Sequence, residues 1–331
     1  MTRALVRLVR LAPFAAAKAP VATALAAVAV LGVAFAPVRA ADTPQAAPAF
    51  DSARAWAHLE KMVAFGPRPA GSPAIEQTRD YIKAQIESFG LKVEEQAWTT
   101  PTPQGQVRMV NLVVRLAGRR PDRILLTGHY DTKPFKAFRF VGANDGGSSG
   151  AFLVELARVL KDRPREFTWE LVWFDGEEAF CTNWDECTNN GSPDNTYGSR
   201  HYVDAARADG SLSSIKAMIL VDMIAERNAR FQREASSTKW LKDIIWNAAR
   251  TVGHASYFPM SETPIEDDHY AFLEAGVPAA DIIDLEYWSS TGQMYWHTAL
   301  DTLDKLDREP LQAVGDTLVA ALPLIEKHLM Q

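Results

Sequence analysis

Acidic and histidine side chains in this sequence fall directly behind runs of apolar residues. ILLTG is followed by His129 and Asp131, TWELVWF by Asp175, Glu177 and Glu178, and AMILV by Asp222. AADII leads on to Trp296 and His297, and a fifth short segment, FVGAN, delivers Asp145 just ahead of a helical stretch from about Ser149. Each has an ordinary reading when taken alone. A histidine at a strand end is usually structural, an aspartate before a helix is usually a cap, and paired glutamates usually face solvent. Their shared position changes the weight, because an unpaired charge beside a buried run is costly. LVWF passing straight into DGEE needs a cation to meet it. Zinc is the simplest candidate, since it accepts imidazole nitrogen and carboxylate oxygen together. A ligand set of histidine and carboxylate without cysteine points to a catalytic site. Of two adjacent glutamates in a short turn, only one can bind the metal well, which leaves the other beside the substrate to move protons.

The elements that must carry these residues can be read from periodicity. A helix is expected from about Ser52, with Ala55, Leu59 and Val63 on one face, stopping at the turn signals of GPRPAG. A second amphipathic stretch covers 74–88 and ends before Gly90. Strands are expected at 107–116, 124–127, 168–174, 217–221 and 279–283, and further helices at 149–161, 239–249, 265–275 and 310–330. Strands alternating with helices give an α/β fold with a mixed, largely parallel sheet covered on both faces. Such sheets bind ligands beyond the carboxyl ends of their strands, which is where the candidate residues fall. One catalytic domain, 51–331, is expected, behind a flexible Ala/Pro-rich lead-in at 41–50.

Residues 1–40 have the layout of a secretory signal: a basic leader, an apolar stretch from about Val21, and Val38-Arg39-Ala40 as the cleavage site. The alternative is a permanent anchor, since the stretch approaches the ~20 residues that span a bilayer. Removing the leader takes five basic residues and no acidic ones, so the net charge moves from −6 to −11. That surface is a poor match for nucleic acid or for anionic membrane, and no stable membrane partner is expected. Cys181 and Cys187 are the two cysteines, and in an exported protein they are expected to form a small disulfide loop.

At these residues the sequence resembles the co-catalytic zinc aminopeptidases and, within them, the animal-type glutaminyl-peptide cyclotransferases. The motifs are GHYDT at 128–132, FVGANDGG at 140–147, WFDGEEAF at 173–180, YGSRH at 197–201, LVDMI at 220–224, EDDHYAF at 266–272 and YWHT at 295–298. The resemblance runs from about Ala55 to His328. It implies a three-layer α/β/α sandwich with Asp145, Glu178 and His297 holding one zinc and Glu177 as general acid/base. His129 and Asp222 would hold a second metal if one is present, with Asp145 shared, and Asp131 would orient His129. One zinc is expected and two are possible. In the cyclotransferases Asp222 and Asp267 would form a carboxylate network beside the substrate amine. Trp184, Glu266 and Trp296 would border the substrate.

The Asp267-Asp268 pair ahead of His269 looks like the cyclotransferases, as do FVGAND and the tryptophans. The resemblance therefore implies conversion of an N-terminal glutamine to pyroglutamate with release of ammonia. The rival is a two-zinc aminopeptidase, in which Glu177 would deprotonate a water. A third reading is an inactive binding module. In the first two, peptides with a free N-terminus are the partners. The sequence departs from the animal pattern at three places. Glu266 stands where those enzymes have glutamine, CTNWDECTNN at 181–190 carries extra residues, and DLEYWSSTGQMYW before His297 is longer than expected.

Overall fold

A computed structural model describes residues 48–184, 186–189 and 191–331. The signal peptide expected at 1–40 and most of the lead-in, 41–47, lie outside the described residues. The end of the lead-in does not: Phe50 is only 4% exposed. Its ring lies 4.9 Å from that of Phe152, against a helix whose Gly315 makes room for it, since a Cβ there would sit 2.2 Å from Phe50 Cγ.

Helix α1 is Ser52–Ala64, opened by Asp51, whose carboxylate accepts from the backbone N–H of Ala53 and Arg54. It buries Ala55, Leu59 and Met62, and the expected Val63 packs half-buried against the same core. Helix α2, Pro73–Ser88, has proline in its first turn and the Ser72 hydroxyl as cap. The main sheet has six strands in the order β1-β2-β4-β3-β5-β6: β1 Glu94–Thr102, β2 Gly105–Leu116, β3 Arg120–His129, β4 Phe167–Phe174, β5 Ile215–Asp222 and β6 Ala279–Ile283. β4, β3, β5 and β6 run parallel, while the β1–β2 hairpin pairs antiparallel at one edge.

Side chains alternate across each strand, so the sheet feeds two cores. Ile124 and Leu126 of β3, with Ala217, Ile219 and Val221 of β5, face α1, α2, α3 (Gly147–Leu160), α5 (Lys239–Thr251) and α7 (Arg308–Leu329). Leu125, Met218 and Leu220 face α4 (Tyr197–Ala208) and α6 (His269–Glu274). The fold is therefore the expected mixed, mostly parallel sheet with helices on both faces.

Two local expectations change. The helix expected at 265–275 is confined to His269–Glu274. The residues before it follow a short ladder, Glu262–Thr263 on Arg233–Glu234, and form cavity wall instead. FVGAN is a loop. β1 and α4 were not expected: β1 contains Pro101 and few apolar residues, and is held by its register against β2, Glu94↔Val113 through Thr102↔Gly105.

Candidate metal centre

Register brings the first two groups together. Thr127 of β3 is paired with Leu220 of β5, so His129 and Asp222, each two residues on, end adjacent strands side by side. His129 Nε2 is 3.0 Å from Asp222 Oδ1 and 3.3 Å from Asp145 Oδ1. His129 Nδ1 is 3.4 Å from Asp131 Oδ1. The Asp131 carboxylate also accepts from the backbone N–H of Glu177 (3.1 Å) and of Glu178 (3.3 Å), pinning the turn that follows β4. Asp175 points elsewhere, to Arg79 at 3.2 Å and the Val110 N–H at 2.8 Å.

Asp145 is not a helix cap. The capping position of α3 is Gly146 (φ 71°), and the Asp145 carboxylate turns inward. Only glycine suits position 146, because a Cβ there would meet Asp131 O at 2.2 Å. Asp145 Oδ2 lies 3.3 Å from His297 Nε2, and Glu178 Oε2 lies 3.2 Å from the same nitrogen. Thus Asp145 presents one oxygen to each imidazole. His297 reaches this position from a left-handed backbone (φ 53°), and Met223 behind Asp222 is also left-handed (φ 47°). Two non-glycine residues of that kind at one site mark stored strain.

Two groups of ligand atoms therefore lie within 4.8 Å of one another: Asp145, Glu178 and His297, and His129, Asp145 and Asp222. They differ in their hydrogen bonding. In the first, Asp145 Oδ2 and Glu178 Oε2 are buried and accept no hydrogen bond; in the second, His129 and Asp222 are bonded to each other. Buried, unpartnered oxygens around an imidazole nitrogen are a donor set that fits zinc.

Electrostatics agree. Burial pushes the Glu177 carboxyl well above the ordinary range, with Asp267, Glu178 and Asp268 adding to it against His129. Burial likewise raises Glu178, then Asp145 beside it. It raises Asp222 against the opposing effect of His129, and Asp267, where Asp222 and Asp268 add. Burial disfavours charge on His297, yet Glu178 and Asp145 outweigh it and lift the imidazole to about 9. At Asp145 burial is outweighed by the His129 and His297 imidazoles on either side, which hold the carboxyl low. Too many carboxylates converge for two imidazoles to balance.

Glu177, Glu178, Asp222, Asp267 and His297 open on a cavity of about 270 Å³, walled by Trp184, Trp296, Ile265, Ile283 and Leu285, with the exposed Glu266 at its rim. This is near the lower bound of small-ligand pockets, roughly 300 Å³, and suits a single amino-acid residue. Trp296 stacks on His297 at 4.0 Å between ring centres. Cys181 and Cys187 are joined in a disulfide that closes the segment carrying Trp184.

Sequence reasoning missed the residues that hold Asp145 in place. Asp301, fully buried, accepts from the N–H of Asn144 (2.8 Å), the N–H of Asp145 (3.1 Å) and the Tyr287 hydroxyl (2.9 Å). Asn144 donates to Met223 O and accepts from the Ala225 N–H, tying this loop to the end of β5. Arg68, also fully buried, donates to Tyr130 O, Val141 O and Gly142 O. Burial pulls its pKa down to about 10 although Asp301, Asp131 and Asp145 are near. Asn144 lay inside a quoted motif and Asp301 lies four residues after His297, whereas nothing in GPRPAG beyond a turn signalled Arg68.

Residues 111–322, more than half of the chain, match the sequence model of peptidase family M28. The chain belongs to peptidase family M28. This M28 chain is 31% identical over 264 residues to the glutaminyl-peptide cyclotransferase-like protein of Bos taurus, covering 71% of the chain and 66% of that relative. It is 26% identical over 267 residues to the glutaminyl-peptide cyclotransferase of Drosophila melanogaster, with 73% and 72% covered. Among solved structures it is similar to an Acidobacteriales bacterium glutaminyl cyclase (35% identity, TM-score 0.79, 88% of this chain and 99% of that one). It is also similar to a Zn-dependent exopeptidase from Parabacteroides distasonis (28%, TM-score 0.73, 85% and 99%). The M28 fold and the resemblance read from the motifs are thereby borne out, and zinc is the metal that this family and its neighbours imply.

Proposed function

We propose that this M28 enzyme is a zinc-dependent glutaminyl-peptide cyclotransferase, converting the N-terminal glutamine of peptides to pyroglutamate. The observation that carries this reading is the contrast between the two ligand groups. Asp145, Glu178 and His297 have the unpartnered oxygens that call for an ion, while His129 and Asp222 are bonded to one another. One ion satisfies that arrangement. The similarity to proteins named glutaminyl-peptide cyclotransferase and glutaminyl cyclase supports it.

Zinc held by Asp145, Glu178 and His297 would supply a Lewis acid for the γ-carbonyl of the substrate glutamine. The remaining work falls to the chain's own groups. The α-nitrogen bonds the carbonyl carbon (Cδ) of the side-chain amide as the bond from that carbon to the amide nitrogen breaks, and this nitrogen leaves as ammonia, so one proton must move from the first nitrogen to the second. The Glu177 carboxylate, whose proton affinity is raised by burial, takes that proton at one oxygen and delivers it to the leaving nitrogen. Asp222 and Asp267 accept hydrogen bonds from the amine and hold it toward the side-chain carbonyl carbon, Cδ. Trp184 and Trp296 wall the side chain and exclude water, which would otherwise hydrolyse the amide.

The second reading is a two-zinc aminopeptidase, favoured by the compactness of the His129, Asp145 and Asp222 group. The substrate in either case is a peptide with a free N-terminus. Export by residues 1–40 fits the Cys181–Cys187 disulfide, and no helix among the described residues is long and apolar enough to cross a membrane. The deciding experiment gives the zinc-loaded protein a Gln-initiated and a Leu-initiated peptide and measures ammonia and free amino acid. Ammonia from the first supports cyclisation. Free leucine without ammonia rejects it in favour of the peptidase, and silence on both favours a binding module. Elemental analysis should give about one zinc per chain.

A further inference from the structure

The middle of the long segment before His297, residues 287–295, takes no part in the chemistry described above, yet it folds into a definite structure. Residues 287–295 form a hairpin in which Tyr295 N–H donates to Tyr287 O (3.0 Å) and Ser289 N–H to Gln293 O (2.8 Å), with Trp288 bridged to Met294. Its base is rooted: Tyr287 is fully buried, and its hydroxyl bonds the same Asp301 that holds the Asp145 loop. Trp288, the next residue, faces out and is 45% exposed, one of four large apolar side chains so exposed among the described residues.

Trp288 is not isolated on the surface. With Gln232, Thr263, Leu285 and Glu286 it lines a second cavity of about 290 Å³. Leu285 also lines the cavity of the metal centre, and Thr263 is followed directly by Pro264, which lines it too. Two cavities, each sized for about one residue, therefore share a wall and follow one another along the same rim. For a peptide whose first residue occupies the inner cavity, that rim is a continuous way out. We propose that the Leu285–Trp288 side of this groove is a subsite for a downstream residue of the peptide substrate, and that it takes an apolar or aromatic side chain laid against the Trp288 indole. This rests on the reading of the inner cavity as the seat of the N-terminal residue. Because the hairpin is rooted through Tyr287 and Asp301, the indole is held ready, and little ordering is needed on binding.

The test is a length series on the zinc-loaded enzyme: a dipeptide amide beginning with glutamine, then the same peptide extended by alanines, and by alanines ending in phenylalanine. A parallel series begins with leucine, and ammonia and free amino acid are both measured. The expected result is a kcat/KM higher by roughly three- to tenfold for the phenylalanine-bearing peptide, one aromatic contact's worth. Trp288→Ala should remove that gain, leave the dipeptide unchanged, and be rescued by Trp288→Phe. A kcat/KM indifferent to length and to the distal side chain overturns the proposal. So does a Trp288→Ala defect of equal size on the dipeptide, which would make the hairpin merely structural. A dimer in solution that Trp288→Ala dissolves reassigns the face to a second copy of the chain. If ammonia never appears but leucine is released, cyclisation fails while the length dependence still judges the subsite.

Discussion

Asp301→Asn is the substitution that most directly probes how the ligand loop is built. The native carboxylate satisfies three donors with two oxygens: Oδ1 takes the Asn144 N–H and the Tyr287 hydroxyl, and Oδ2 takes the Asp145 N–H. An amide keeps one oxygen. Placed at the Oδ1 position it retains two bonds and turns an NH₂ toward the Asp145 N–H, so one buried donor, on the ligand residue itself, loses its acceptor. A buried unsatisfied donor costs about 1–3 kcal/mol. Loss of such a partner behind a metal ligand typically weakens the metal about 10- to 100-fold. We expect both effects together. Zinc affinity is read by competition with a chromophoric chelator at pH 7.5, and stability by thermal unfolding with and without zinc. The stabilisation given by zinc should shrink in the variant. If the variant loses stability while its zinc affinity stays within about twofold of the native value, Asp301 supports the fold but does not position Asp145, and the reasoning fails.

The glutamate pair gives a second test. Glu177→Gln should lower kcat about 10²- to 10⁴-fold with zinc retained, whereas Glu178→Gln should lose zinc, both followed by elemental analysis and ammonia release. Zinc lost from Glu177→Gln would reverse the two roles. A third concerns His58, whose ring accepts or donates at Tyr81 OH (2.7 Å) while its Nε2 is buried without a partner. Burial, then Arg54 and Arg158, lowers its pKa from 6.5 to about 4. The unfolded chain therefore binds the proton more readily, and the stability contributed by neutral His58 is fully present above pH 6.5 and lost as the pH falls toward 4. Between pH 7 and 5 this group alone should cost about 2 kcal/mol. Urea unfolding of native protein and His58→Gln should diverge in pH slope by that amount, and parallel curves would refute the assignment.

The strands that end at the centre could be read in the sequence because buried parallel strands are continuous apolar runs, and a charge at the end of such a run stands out. Ala279–Ile283 matched its expected bounds for that reason. β1 could not be read so, since its polar, proline-containing segment becomes a strand only through pairing with β2. Residues 265–268 carry helix-compatible residues, yet packing into the cavity wall overrides that preference. Asp145, Glu178 and His297 were legible as candidates by type and neighbourhood, and as one ligand set only through the family resemblance. Arg68 and Asp301 were not, because their part is to bond backbone groups far away in the chain, and such partners leave no periodic trace. Trp184 and Trp296 do wall the inner cavity.

Phe50 bears on maturation. Its ring is wedged between Phe152 and the gap left by Gly315, and taking it away would open a benzyl-sized void costing about 3–5 kcal/mol. A processing or scavenging protease working inward from the amino end would therefore meet a thermodynamic stop at this ring. Trimming that halts before residue 50 keeps this packing, and trimming by one residue more forfeits it.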